Sequence, residues 1–179
     1  MKKILTILVV LLLQMELSAK NIVMPETIEL FETTYHVAYK QPYNWEYTNN
    51  ESVENWTSLV TLIARPVKTD PKTHNLAFEK ALSTQEVATY AYEDNEEYGY
   101  FLVVFKPTKK YMYYEAMIMK SFHLPQCDGN VQLQYAFKKV VFEAVSPEED
   151  KKIVEALMNQ LKSYQAILKT NTWSPPCKQ

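Results

Sequence analysis

Two neighbouring segments, 98–106 and 111–122, are apolar on both of their alternating faces. In the first, Tyr100, Leu102 and Val104 alternate with Phe101, Val103 and Phe105. In the second, Met112, Tyr114, Ala116 and Ile118 alternate with Tyr111, Tyr113, Met117 and Met119. A strand with one apolar face can leave the other in water, but a strand with two must be covered on both. The chain therefore needs a sheet whose middle is sandwiched. Thirteen Tyr and seven Phe supply the side chains that pack well on a pleated surface.

The covering material is legible further along. Ser146-Pro147-Glu148-Glu149 combines an N-cap hydroxyl, Pro at the first helical position and Glu at the third, the signature of a helix start. Ile153, Leu157, Leu161, Tyr164 and Leu168 then recur at steps of three or four and form one apolar stripe. Asp70-Pro71 reads as a second start, with Leu76, Ala77, Phe78, Ala81 and Leu82 predicting a short helix over 71–82. Strands are expected at 31–39, 55–65, 87–93 and 131–142, and 45–50 is either a short strand or a loop. In 131–142, Val131, Leu133, Tyr135 and Phe137 alternate with Gln132, Gln134 and Lys138, which predicts one water-facing side. Residues 21–30 show only loosely spaced apolar positions and no strand is assigned there. The order of elements predicts an α+β fold. It has a mainly antiparallel sheet of five to six strands, a short helix after the early strands, and a long C-terminal amphipathic helix on one face.

The N-terminus carries Lys2-Lys3, an apolar run over 4–13, a polar stretch and Ala19, the order of a cleavable secretory signal. The run is too short for a membrane span, which takes roughly 20 residues. Residues 1–19 are thus expected to be a signal peptide and 20–179 a single domain, exported to the periplasm or beyond the cell, with no stable membrane span after cleavage. The mature net charge becomes −3 and the chain holds a single Arg, Arg65, so nothing forms an electrostatic footprint for nucleic acid. The two cysteines, Cys127 and Cys177, are an even count in an exported chain and predict a disulfide that pins the C-terminal tail to the turn around Asp128-Gly129.

No segment carries a catalytic or cofactor motif. His36, His74 and His123 lack the spacing of a metal site, and the acidic stretch 93–97 lacks the order of a calcium loop, so no metal or cofactor is expected. Asn50-Glu51-Ser52 and Asn55-Trp56-Thr57 match the glycosylation pattern. The Tyr- and Met-rich strand is the most unusual stretch. Tyr113, Met117 and Met119 are the candidate ligand-binding residues, set between plain core and an adaptable apolar groove. The segment 51–62, acidic-x-x-Asn-Trp-Thr followed by an apolar strand, resembles one found in small exported bacterial proteins of unassigned function; the resemblance implies no activity. The expected function is non-catalytic binding of a protein or of an apolar or peptide-like ligand. The alternatives are a secreted hydrolase with a spatially assembled site and an envelope interaction factor.

Overall fold

The computed structural model describes residues 22–65, 70–142 and 145–178. The expected signal peptide lies outside the described residues. Among the described residues, eight strands form one sheet: β1 (Thr27–Leu30), β2 (Thr33–Gln41), β3 (Asn44–Thr48), β4 (Ser58–Arg65), β5 (Val87–Asp94), β6 (Tyr98–Phe105), β7 (Tyr113–Leu124) and β8 (Gly129–Val140). Helix α1 (Pro71–Leu82) follows β4, and α2 (Pro147–Thr170) closes the chain. The strand order is β1-β2-β3-β4-β8-β7-β6-β5, every pairing is antiparallel, and the sheet curls into a half-barrel. The α+β class and the two helices agree with the sequence, but the five to six strands expected become eight.

The extra strands come from the N-terminal region. β1 and β2 are joined by Phe31-Glu32, both in the left-handed region at φ 51° and 61°. A tight hairpin of that shape ordinarily selects Asn-Gly or Asp-Gly, and a Phe there carries no turn signal. Packing holds it instead: the Phe31 ring lies 4.8 Å from Tyr135 and 4.3 Å from Tyr164 of α2. β3 was ambiguous because it mixes polar and aromatic residues; Tyr47 is fully buried and donates to the Pro25 carbonyl at 2.9 Å.

The two helices cover opposite faces, as the doubly apolar strands require. On one face Tyr100, Leu102, Tyr114, Ala116 and Ile118 pack with Leu157, Leu161 and Leu168 of α2. On the other, Phe101, Val103, Met117, Met119 and Ala136 pack with Phe78 and Leu82 of α1. Both helix starts are capped as the sequence implies: Asp70 accepts from the Thr73 amide at 2.9 Å and Ser146 from the Glu149 amide at 3.3 Å.

The end of α2 is held by a side chain from the sheet. Lys120 is buried, and its Nζ donates to the carbonyls of Leu168 at 2.9 Å and Asn171 at 3.0 Å. A cation at a helix C-terminus meets both the orphan carbonyls and the negative end of the helix dipole. Beyond it the tail runs to the disulfide between Cys127 and Cys177, whose Cα atoms are 5.4 Å apart. Cys177 also pairs with Ile22, and the Val23 amide donates to Pro176 O at 2.8 Å. Gly129 allows this approach, since a Cβ there would sit 2.9 Å from Ile22 Cδ1.

The water-facing side expected for 131–142 is corrected by the structure. Asn130, Gln132 and Gln134 share a face, but all three are buried. Alternation reports which side chains share a face, and not whether that face is wet; here α1 and the curl of the sheet cover it.

Candidate functional site

α1 is twelve residues long and packs mainly over β5, β6 and β7. Past its C-terminal end the same face of the sheet borders a cavity. The curl of β2 and β3, the 50–56 loop and the 106–111 segment then enclose a cavity of about 780 Å³. This is within the usual range for small-ligand sites, roughly 300–1,000 Å³.

The register explains its floor. Three transverse rows cross it. Glu46, Thr61 and Gln134 form a polar row running to Met119. Thr48, Leu59, Ala136 and Met117 form the middle row, apolar after the first residue. Lys138 and Glu115 pair in the third, with Phe105 beyond them. Trp56, Tyr111 and Tyr113 stand at the third-row end, and Phe78, Ala81 and Leu82 of α1 form the opposite wall.

Of the residues singled out from the sequence, Tyr113 and Met117 line the cavity. Met119 lies on the same face but is fully buried, with the Gln134 amide 3.8 Å from its sulfur. It belongs to the packing beneath the floor and is not part of the lining. Sequence reasoning missed Glu115, Lys138, Trp56 and the Leu59–Ala136 floor as site residues. The signal available was a charge at Glu115 inside the otherwise apolar run 111–119.

Glu115 is only 8% exposed and, among the described residues, has no hydrogen-bond partner. Burial pushes its carboxyl up to about 7, with the nearby Lys138 charge acting the other way. Lys138 is its cross-strand neighbour, yet no ion pair joins them. The ammonium instead sits 3.9 Å from the centre of the Trp56 ring and 4.7 Å from that of Tyr113. Burial also raises the Glu46 carboxyl. Glu51 is committed elsewhere: it accepts from the Thr57 amide at 2.7 Å and from the Thr57 hydroxyl at 2.9 Å, which locks the 50–56 loop to the start of β4.

Under the other half of α1 the face is a closed polar network. His74 is buried, with Asn130 Nδ2 at 3.2 Å from Nε2 and Gln132 Nε2 at 3.0 Å from Nδ1; Asn130 Oδ1 in turn lies 2.9 Å from His123 Nδ1. Burial and the Arg65 charge hold the His74 imidazole down at about 4, so it is neutral. A neutral ring accepts at one nitrogen and donates at the other, so one of the two amides presents its oxygen to the ring. Among the described residues the side-chain partners of the His74 and His123 rings are amides, and these bonds join helix to sheet. His36 is exposed and lines the cavity at the β2 side. No group of three or more metal-binding side chains occurs among the described residues, and no helix there is long and apolar enough to cross a membrane.

A sequence-family model matches residues 22–173, which takes in all eight strands and both helices. The chain belongs to that family. No curated protein sequence matches it. Among solved structures, the Ran-binding protein Mog1p of Saccharomyces cerevisiae is similar at 14% identity. That alignment covers 83% of this chain and 92% of Mog1p, with a TM-score of 0.46.

Proposed function

We propose that this family member is an exported, non-catalytic binding protein, acting in the periplasm or outside the cell, and that it seats a predominantly apolar ligand in the cavity beside α1. One observation carries the reading. The middle row of the floor, Leu59, Ala136 and Met117, is apolar, and beyond the Phe78 and Leu82 side chains of α1 it borders a cavity of about 780 Å³. A ligand that removes apolar surface from water in such a cavity gains about 25 cal/mol for each Å² it buries. Tyr113 and Met117 contribute an aromatic wall and an adaptable floor.

The test uses Trp56, which lines the cavity, as a fluorescent reporter. Mature protein titrated with 1-decanol should show saturable quenching or a spectral shift. Ala136→Phe, which fills the centre of the floor, should abolish the response while the variant still unfolds cooperatively. Retention of full decanol affinity in folded Ala136→Phe would refute the assignment. Native mass spectrometry of protein purified from envelope extract should then show the mass of the natural ligand.

A further inference from the structure

We propose that the ligand carries a cationic amine, seated against Glu115, on its apolar body. This rests on the reading of the cavity as a binding site, and concerns which head group that site selects.

Three observations point the same way. Glu115 is more than nine-tenths buried, borders the cavity, and has no hydrogen-bond partner among the described residues. A buried carboxyl without a partner is costly, and most such groups in folded proteins are satisfied. A protonated amine on the ligand would supply the missing donor and add a second positive charge to that of Lys138.

The surrounding charge also favours a cation. Glu46, Glu54 and Glu86 line the same cavity as Glu115, and none of them forms an ion pair among the described residues. The two lysines at the cavity are both engaged. Lys106 is held by Asp150 at 3.0 Å, and Lys138 is placed over the Trp56 and Tyr113 rings. An anionic head group next to Glu115 would set two negative charges side by side, with the ring-held Lys138 as the one cation on the neighbouring strand position.

The third observation is the aromatic wall. Tyr113 and Trp56 already hold one ammonium, that of Lys138, at 3.9–4.7 Å. Phe105 pairs with Glu115 across the strands on the other side. A second ammonium entering along the apolar row would therefore meet a carboxyl with aromatic residues on the positions to either side.

The experiment compares three probes of equal chain length, decylamine, 1-decanol and decanoate, at pH 8, where both the amine and the Glu115 carboxyl are charged. Calorimetric titration should give decylamine about a tenfold or greater advantage over decanol, the scale of one charge-assisted hydrogen bond, with decanoate weakest. In Glu115→Gln the amine-to-alcohol ratio should fall towards one, and thermal unfolding confirms that the variant is folded. Equal binding of all three probes, or a preference for decanoate, overturns the cationic head group and leaves the apolar site standing. An amine preference that survives Glu115→Gln also overturns the assignment. Binding of none of the three removes both proposals together.

Discussion

Replacing Glu115 by Gln should make the stability of this protein depend on pH in a new way. In the unfolded chain a glutamate loses its proton near 4.5, whereas in the folded protein Glu115 holds it up to about 7. Between those values the native state binds more protons than the unfolded state, so stability falls as pH rises. The span corresponds to about 3 kcal/mol. His74 works in the opposite sense. Its folded value is lowered from 6.5 to about 4, so the unfolded chain binds more protons in that window and stability rises with pH, again by about 3 kcal/mol. In the wild type the two slopes oppose each other between pH 4.5 and 6.5, and the profile there should be nearly flat. Glu115→Gln removes one of them. Urea unfolding followed by far-UV circular dichroism at pH 4.5, 6 and 8 should show the variant gaining on the wild type by about 3 kcal/mol from the lowest to the highest pH. Any constant offset at pH 4.5 measures the buried amide; the change with pH measures Glu115. A difference constant to within about 0.5 kcal/mol across that range would mean that the carboxyl is not desolvated in the folded protein.

Other perturbations probe the scaffold. Lys120→Met keeps the bulk but removes the donors to Leu168 O and Asn171 O; leaving those carbonyls without their partner should cost about 2–4 kcal/mol in urea unfolding. Reducing the Cys127–Cys177 bond, or Cys177→Ser, reopens a 50-residue separation and should cost up to about 4 kcal/mol, seen as a fall in Tm that dithiothreitol reproduces. Gly99→Ala places a methyl 2.8 Å from Ser121 Oγ and 2.9 Å from Pro71 Cβ; it should destabilise by about 1–3 kcal/mol, mostly by lifting the start of α1, and hydrogen exchange over 71–75 should rise with it.

Much of the fold could be read from particular residues. The double alternation in 98–106 and 111–122 called for a cover on each face, and α1 and α2 provide one each. The two helix starts were visible because Asp70-Pro71 and Ser146-Pro147 are local signals, made by side chains within three residues of the amides they cap. The β1–β2 hairpin was not visible, because Phe31-Glu32 is held in its turn by Tyr135 and Tyr164, more than a hundred residues away. The same limit applied to 131–142. Its Gln and Asn residues have the spacing of a solvated face, and distant parts of the chain, His74 of α1 on Asn130 and Gln132 among them, make them interior. For the cavity, Tyr113 and Met117 stood out by composition, but Glu115 acquires its character from burial and from a neighbour on β8, neither of which has a local pattern.

The shortness of α1 has an evolutionary consequence. The cavity begins where that helix stops, so on that side its capacity is set by the residues just beyond Leu82. The connection to β5, Ser83 to Glu86, lies at the rim, where Gln85 and Glu86 face the opening. Doubling the length of a flexible loop costs only about 0.6 kcal/mol, far less than repacking eight paired strands. Insertions and deletions at this one joint can therefore lengthen, narrow or close the chamber while the floor keeps its register. Among family members, ligand size should diverge fastest with the length of this segment, and slowest with the identity of the residues below it.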